Sequence, residues 1–346
     1  MPVTTFTADV GIPIFGLGFT ARNELVVGGG GGSGRTGVKN KVASYKIDVK
    51  RKEFREDAEF EFGSDEDAPM CLDVHPTKDE CAVGVNGTDK SVESGDSKNC
   101  RVFDLDDDSF KLIESVRTIQ SKNVDDHQKV CRYSKDGQFL ATGTTDGILT
   151  LLKYPSLEQV IPPIQFENEE ILDVDFDFDN EKLLVVTAGL LRLISLRGKR
   201  AGRELQTLQA SSLDKKVKSE FRAVRYGNGV SSDHAFVALN SKSRDKGTII
   251  KFNAHTLEIV KTKKISGKPL TAFCVSKDGS IGAYASADLS IGVFDAMNLQ
   301  KLLQVKEAHS FSITGLAINH DRSLLVSSSA ENKCRAVVLP KVFESS

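Results

Sequence analysis

Residues 278–295 read Asp-Gly-Ser-Ile-Gly-Ala-Tyr-Ala-Ser-Ala-Asp-Leu-Ser-Ile-Gly-Val-Phe-Asp. A polar turn leads into a short apolar run of small and β-branched residues, and a second short run follows another turn. Runs of this length and composition predict strands, because an amphipathic helix needs a longer segment with a period near 3.6 residues. The rest of the chain shows the same alternation and no clear ten-residue helix. The sequence therefore predicts an all-β protein.

The same unit recurs along the whole chain. Its apolar runs begin near residues 25, 81, 139, 183, 235, 281 and 324, so successive units are 43 to 58 residues apart. That spacing is close to the period of roughly 40–50 residues that is typical of propeller blades. Seven units predict a single seven-bladed β-propeller over residues 1–346, because one blade cannot bury both of its faces alone. A pair of β-sandwiches is the alternative.

Two further features refine the propeller prediction. The chain has no tryptophan, so it lacks the Trp-Asp dipeptide of standard blades, and Ile291–Asp295 is the nearest equivalent. The blades are therefore of a divergent WD-repeat type. Closure of the ring requires a terminal strand to complete another blade. Residues 3–7 are the candidate, beside the strand-like residues 335–339.

Composition limits the function classes. The 46 Lys and Arg residues nearly balance the 48 Asp and Glu residues, for a formal net charge of −2, which gives no overall case for nucleic acid or for an anionic membrane surface. The six cysteines form no Cys-x-x-Cys pair and are predicted to be reduced thiols of a cytosolic protein. We find no signal peptide and no apolar stretch long enough to span a bilayer. A soluble monomer is expected.

The most unusual segment is glycine-rich. Seven of the ten positions 28–37 are glycine, directly after the strand-like residues 24–27. Residues 29–36 nearly match the phosphate-binding loop pattern, with Arg35 in place of its lysine. Such a loop requires a helix N-terminus next, whereas residues 42–49 alternate like a strand. The histidines show no metal-binding i, i+4 spacing and no nucleophile elbow is present, so we predict no covalent chemistry.

A flexible glycine loop without a helix has three interpretations. Its N–H groups can hold an anion, its carbonyl groups can converge on a hard cation, or it can be a disordered hairpin without a ligand. Under the second interpretation the ion orders the loop, taken as residues 28–41, and the ordered state of Asn40 depends on it.

Four stretches carry a resemblance to a known family: residues 10–16, residues 37–41, residues 64–69 and residues 307–314, the last reading Glu-Ala-His-Ser-Phe-Ser-Ile-Thr. Together with the glycine run they resemble the cytosolic domain of the endoplasmic-reticulum guanine-nucleotide exchange factor for the Sar-type GTPase of the COPII coat, in its fungal branch. Animal relatives are called prolactin regulatory element-binding protein.

The resemblance implies a function and a site. Members are divergent seven-bladed propellers whose first-blade loop binds a potassium ion and engages the GTPase, and they act in vesicle-mediated protein transport from the endoplasmic reticulum to the Golgi. By this resemblance Asn40, Val38, Pro69 and His309 engage the GTPase. The potassium ligands are backbone carbonyl groups within the run Gly28, Gly29, Gly30, Gly31, Gly32, Ser33 and Gly34. Lys39 stands where a relative carries proline.

Structural roles remain open for three of these residues. His309 has the spacing of a histidine that hydrogen-bonds within its own blade, Pro69 fits a simple turn, and Asn40 is a common residue in hairpins. Members of the family also carry one membrane span after the propeller, so we expect this chain, which ends at Ser346, to be a truncated cytosolic fragment or an atypical member. A passive scaffold that binds a partner peptide and a phosphate-loop hydrolase are the alternative functions.

Overall fold

The computed structural model describes residues 3–34, 36–106 and 108–343. These residues form seven antiparallel sheets, six of them four-stranded and one five-stranded. The first strand of each sheet contacts the first strand of the next, and the contacts close into a ring. The prediction of an all-β, seven-bladed propeller is therefore confirmed. No helix among the described residues is long and apolar enough to cross a membrane.

Blades 1 to 4 follow one another along the chain. Blade 1 contains β2 (Ile14–Phe19), β3 (Leu25–Gly29), β4 (Lys41–Asp48) and β5 (Glu53–Glu61). Blade 2 contains β6 (Cys71–Val74), β7 (Glu80–Gly84), β8 (Cys100–Asp106) and β9 (Ser109–Val116). Blade 3 contains β10 (Gln128–Tyr133), β11 (Phe139–Thr144), β12 (Ile148–Lys153), β13 (Glu158–Gln159) and β14 (Ile164–Gln165). Blade 4 contains β15 (Asp173–Phe176), β16 (Lys182–Val186), β17 (Leu190–Ser195) and β18 (Glu204–Gln209).

Blades 5 to 7 complete the ring. Blade 5 contains β19 (Ser219–Tyr226), β20 (His234–Ser241), β21 (Gly247–Asn253) and β22 (Ile259–Ser266). Blade 6 contains β23 (Leu270–Val275), β24 (Ile281–Ser286), β25 (Ile291–Asp295) and β26 (Lys301–Val305). Blade 7 contains β27 (Ile313–Ile318), β28 (Leu324–Ser329), β29 (Lys333–Val338) and the N-terminal β1 (Thr5–Asp9). Two short helices, α1 (Asp89–Ser94) and α2 (Ala210–Leu213), lie in connections.

Ring closure follows the predicted pairing. Strand β1 pairs antiparallel with β29, with Thr5 opposite Val337 and Thr7 opposite Arg335. The outermost strand of blade 7 therefore comes from the other end of the chain. This pairing joins the two ends of the propeller by a ladder of backbone hydrogen bonds.

The hydrophobic core is divided among the blades. Seven apolar clusters are present, and each lies between two neighbouring blades. One such cluster combines Val26 and Val42 of blade 1 with Val83 and Phe103 of blade 2. Since every sheet buries apolar side chains against its neighbours, the blades stabilise one another.

The strand order determines which connections share a face. The second-to-third strand loops and the links between blades lie at the ends where the innermost strands begin. We call this side the loop face. In blade 1 it carries residues 30–40 and 62–70 beside each other, since the Phe62 N–H donates to the Asn40 carbonyl group at 2.8 Å. It also carries residues 85–99, the second-to-third strand loop of blade 2, and residues 306–312, the link into blade 7.

Candidate functional site

The glycine loop joins β3 to β4 on the loop face of blade 1. Gly28 and Gly29 belong to β3, where they lie opposite Val42 and Lys41. The loop proper is therefore residues 30–40, shorter than the 28–41 expected from the sequence. Strand β4 follows it directly, so the strand predicted after the glycine run is confirmed. Arg35 lies outside the described residues.

Glycine is required in the first half of this loop for steric reasons. Gly30 has φ of +150° and Gly32 has φ of +83°, which are conformations that other residues rarely adopt. A Cβ atom at Gly30 would overlap the Asn40 side chain, and one at Gly31 would overlap Thr36. A Cβ atom at Gly34 would find its nearest neighbour at 3.7 Å, on Thr36. The backbone thus packs closely around Asn40 and is open near its tip.

Asn40 holds the loop from inside. Its side chain is 3% exposed. The Gly32 N–H donates to the Asn40 Oδ1 at 2.8 Å, and the Asn40 Nδ2 donates to the Gly32 carbonyl group at 3.0 Å. The same Nδ2 donates to the Glu66 carbonyl group at 2.9 Å. One buried amide therefore ties the glycine loop to residues 62–70, the link to blade 2.

The link itself is tied to blade 2. The Glu66 carboxylate accepts a hydrogen bond from Arg101 of β8 at 2.5 Å and one from the Gly63 N–H at 2.9 Å. The Asp67 N–H donates to the Asn86 carbonyl group at 3.0 Å. A chain of contacts thus runs from the glycine loop through Asn40 and Glu66 to the second blade.

The residues that flank Asn40 differ in exposure. Val38 is partly buried and packs against the cluster that contains Ile12 and Ile14. Lys39 is exposed and forms a 2.8 Å ion pair with Glu61, which raises the pKa of the lysine through the hydrogen bond and the charge of that carboxylate. The loop therefore presents Lys39 to solvent while Val38 anchors its end.

Pro69 lies in the link between blades 1 and 2. It is buried, and a Cβ atom added at Gly28 would lie 3.1 Å from the Pro69 Cβ. The proline ring therefore packs against the end of β3, beside the start of the glycine loop. The turn of this link lies at residues 64–65, so Pro69 supports the loop by packing and is not itself a turn residue.

His309 lies on the same face in blade 7. Its side chain is fully buried, with Nδ1 2.8 Å from the Glu331 carboxylate and Nε2 2.7 Å from the Ser327 hydroxyl. Burial lowers the pKa of His309, although the Glu331 carboxylate acts in the opposite direction. Both partners belong to blade 7, which is the arrangement that the structural interpretation predicts. Nearby Phe311 is 63% exposed.

The loop region has oxygen donors that suit a cation. Among the described residues no N–H group donates to the carbonyl oxygens of Gly30, Gly31 or Ser33, whereas those of Gly32 and Gly34 already accept hydrogen bonds. Of the glycines named from the sequence, Gly28 and Gly29 use their backbone groups in the sheet.

A cavity of about 280 Å³ adjoins the loop, and its lining includes Ser33, Asp67 and Asn86. The Asn86 side chain is 3% exposed and its Oδ1 has no hydrogen-bond partner among the described residues. Burial raises the pKa of Asp67. No three His, Cys, Asp or Glu side chains within the described ranges converge on a metal-sized site. Asp89 and Asp125 also line the cavity, so a cation here would combine carboxylate oxygens with the neutral oxygen atoms of the loop and of Asn86. Neutral carbonyl oxygens are the donors of potassium sites.

Asn40 and its partner Gly32 are both among the residues named from the sequence, whereas Glu66 is not. Glu66 accepts from Asn40 through its backbone carbonyl group, and a backbone acceptor leaves no side-chain pattern in a sequence. Asn86 and Arg101 come from the next blade, and no local motif links them to the loop. The motif over residues 64–69 was the one available signal.

Comparisons with known proteins agree with this structure. The family model for "WD domain, G-beta repeat" matches residues 300–336. Guanine nucleotide-exchange factor SEC12 of Candida glabrata is 25% identical over 97% of this chain and 72% of its own length. SEC12-like protein 2 of Arabidopsis thaliana is 22% identical over 88% of this chain and 74% of its own length. SED4 of Candida glabrata is 26% identical, and the chain spans only 30% of its length.

Among solved structures, a chain from the mitotic checkpoint complex superposes with a TM-score of 0.72 at 14% identity, over 96% of this chain and 93% of that one. At this identity the likeness concerns the propeller fold alone. The sequence relatives go further, because they align along 88–97% of this chain, and SEC12 of Candida glabrata is named a guanine nucleotide-exchange factor. The chain is therefore a homologue of the SEC12 and SED4 guanine nucleotide-exchange factors, as the residues around its glycine run predicted.

Proposed function

We propose that this chain promotes GDP release from a Sar-type small GTPase and thereby starts COPII coat assembly at the cytosolic face of the endoplasmic reticulum membrane. The names of its SEC12 relatives support the exchange activity. The observation that carries the proposal is the buried Asn40 amide, which holds an exposed glycine loop in one conformation.

Exchange needs no covalent chemistry from the propeller. A protein that binds the nucleotide-free GTPase more tightly than the GDP-bound form must weaken GDP binding by the same factor. A coupling of about 4 kcal/mol corresponds to roughly a thousandfold change in affinity. A preorganised loop contributes to such coupling because little conformational entropy is lost when it binds.

The site residues act in two ways under this proposal. Asn40 is 3% exposed, so it positions the loop backbone while the exposed Lys39 faces the GTPase. Val38 and Pro69 fix the two ends of the loop against the blade. Asn40 is therefore a positioning residue whose effect on exchange passes through the loop.

His309 acts through the segment that it holds. Since its side chain is fully buried between Glu331 and Ser327, it orders residues 307–312 on the loop face. That segment presents Phe311, which is 63% exposed. We assign Phe311 as the apolar contact to the GTPase from blade 7. Blade 7 adjoins blade 1 on one side, and the link that contains Pro69 leads to blade 2 on the other side.

We propose potassium as the ion that orders the loop. The carbonyl oxygens of Gly30, Gly31 and Ser33, together with the Asn86 Oδ1 and the Asp67 carboxylate, are the available ligands beside the loop. A bound cation would coordinate these oxygens, offset the charge of the Asp67 carboxylate and fix the loop tip. The rest of the loop is already held by Asn40.

The test is release of fluorescent GDP from a Sar-type GTPase. Asn40→Ala is expected to remove most exchange activity and leave the propeller folded. Asn240→Ala is the matched control. The Asn240 side chain accepts from the Leu270 N–H at 2.7 Å and donates to the Leu270 carbonyl group at 2.8 Å. Asn240 lies in blade 5, whereas the glycine loop lies in blade 1. Wild-type exchange by Asn40→Ala would show that the loop is not the element that acts.

The same assay separates the alternatives. A passive scaffold binds without faster GDP release, and a phosphate-loop hydrolase binds nucleotide without any GTPase present. Replacing potassium by sodium is expected to slow exchange and to lower the hydrogen-exchange protection of residues 30–39. Equal protection in the two salts would contradict the potassium proposal while leaving the exchange proposal intact.

A further inference from the structure

The central channel of the propeller has a ring of bulged residues at its loop-face end. In five innermost strands one residue is inserted into the pairing with the second strand: Phe15, Lys129, Arg222, Thr271 and Thr314. Met70 and Leu172 take the corresponding places in blades 2 and 4. All seven line one cavity of about 630 Å³. A bulge turns a side chain out of the regular ladder, and here the bulged residues line the channel.

Most of the charges that line this cavity are paired. Lys129 contacts Glu170, Arg225 contacts Asp173, and Arg132 lies 3.1 Å from Asp173. A further contact of 3.6 Å joins Arg132 to Asp73. These three cations are thus matched by three carboxylates.

Arg222 is different. It lines the cavity, and within the described ranges it forms no hydrogen bond and no ion pair closer than 4.0 Å, although Asp173 and Glu170 act on it over a longer distance. Burial lowers the pKa of its guanidinium group, yet arginine stays charged at any relevant pH. The channel therefore carries one positive charge in excess, on a side chain with five N–H donors and no acceptor.

We propose that the loop-face end of the channel is a binding site for an oxyanion, a carboxylate or a phosphate group, with Arg222 as its principal ligand. The planar guanidinium fork matches both groups through two parallel charge-assisted hydrogen bonds. The lining combines charged and hydroxyl side chains with apolar ones, among them Phe15, Leu172 and Phe273. The apolar members leave fewer protein groups that could satisfy Arg222, and the surrounding protein makes a charge-assisted hydrogen bond stronger than it is in bulk water.

Arg222 is partly exposed at the channel surface, and a charge that loses part of its water without gaining a partner costs free energy of folding. Replacing Arg222 with an apolar side chain of similar length removes this partly desolvated group. Arg222→Met is therefore expected to melt at the same temperature as the wild type or higher when no oxyanion is present. A structural arginine would give the opposite result.

The experiment titrates the isolated protein with inorganic phosphate and, separately, with citrate at constant ionic strength, using calorimetry and the melting temperature. The wild type is expected to bind at least one of them with saturation and to melt higher when it is bound. Arg222→Met is expected to bind at least about tenfold more weakly, which is about 1.4 kcal/mol. Arg222→Lys, which keeps the charge without the fork, is expected to lie between them.

Arg200→Met is the matched control, since Arg200 is exposed and lies outside the channel lining. Unchanged affinity in Arg222→Met, or no saturable binding of either probe, overturns the proposal. So does a lower melting temperature of Arg222→Met with phosphate binding intact. No GTPase is present in this titration, so its result does not depend on the exchange activity.

A second arm identifies the source of the oxyanion. GTPase binding is measured with and without saturating phosphate. If phosphate weakens GTPase binding to the wild type but not to Arg222→Met, an acidic group of the GTPase occupies the site at Arg222. If phosphate binds without weakening GTPase binding, the ligand is a free anion.

Discussion

Asn40 and His309 are both buried polar residues on the loop face, and they stabilise different parts of the molecule. His309 uses its two ring nitrogens on Ser327 and Glu331, within blade 7. Asn40 uses its amide on Gly32 and Glu66, which are a loop and a link outside the strand ladder. The contacts of His309 stay within one blade, whereas those of Asn40 connect blade 1 to the link that leads to blade 2.

The difference shows where a single residue controls order. Strands β27, β28 and β29 pair along their length, so blade 7 keeps its ladder without His309. Residues 30–40 have no ladder, and among the described residues the Asn40 side chain makes three of the hydrogen bonds that fix them, including both that reach Gly32. Loss of Asn40 should therefore affect the glycine loop much more than the fold. Loss of His309 should affect residues 307–312 and leave the glycine loop unchanged.

The largest effect is expected from Gly30→Ala. Its Cβ atom would overlap the Asn40 side chain, and its φ of +150° is unfavourable for alanine. Displacing Asn40 shifts the loop by an ångström or more, and a misplacement of that size costs on the order of a hundredfold in rate. GDP release from the GTPase measures the loss, and circular dichroism checks that the propeller remains folded.

Gly34→Ala is the control for this substitution. It adds the same methyl group to the same loop, where the nearest atom is 3.7 Å away. Exchange within about twofold of the wild type is expected, because a surface substitution without a clash usually has little effect. Equal losses in the two variants would mean that loop flexibility, rather than the contact with Asn40, limits exchange.

The next effect in size concerns Phe311. Phe311→Ala removes an exposed apolar side chain from the segment that His309 holds and is expected to lower exchange efficiency about tenfold, near the loss of 1–2 kcal/mol typical of an interface contact. Stability should change little, since the side chain is 63% exposed. Phe178→Ala is the control, because Phe178 is 66% exposed in the turn between β15 and β16 on the opposite face. Similar activities of the two variants would remove blade 7 from the contact surface.

Most of the fold could be predicted from the sequence, because it depends on local patterns that repeat. The run at residues 281–286 and the run at residues 291–295 both became strands with those bounds, β24 and β25. Ring closure by β1 was also predictable, since the first and last strand-like segments had no other partner. Each repeat of a propeller carries the same pattern of strands and turns, so one repeat is enough to indicate the architecture.

The supports of the site were less accessible from the sequence. The contacts of Asn40 with Glu66, and of Glu66 with Arg101, join residues 26 and 35 positions apart. One of these contacts uses a backbone carbonyl group, which every residue possesses. The channel bulges depend on strand register, and no residue type marks a register shift at Arg222. Such features arise from three-dimensional packing and need a structure.

A smaller effect is expected when the connection from Asn40 to blade 2 is cut. Arg101→Met removes the ion pair with Glu66, whose side chains are 14% and 22% exposed. The Glu66 carbonyl group still accepts from Asn40, so we expect the loop to remain formed and to be less protected. A loss of about 1 kcal/mol, or roughly fivefold in hydrogen-exchange protection of residues 30–39, is reasonable for such a pair. Arg51→Met, which removes a fully surface pair with Asp48, should leave that protection unchanged.

The smallest effect is a pH dependence that belongs to blade 7. The folded state lowers the pKa of His309, chiefly through burial. The pKa of this histidine in the unfolded chain is near 6.5. As the pH falls below that pKa, the unfolded state binds a proton that the folded state does not, and stability is lost. Urea midpoints at pH 7.5 and 5.5 should differ more for the wild type than for His309→Gln. Some slope should remain in the variant, because burial also lowers the pKa of His75, His234 and His320. An identical slope in both proteins would show that His309 is not protonated on unfolding, whereas a change in loop protection with pH would link the two regions that the structure keeps separate.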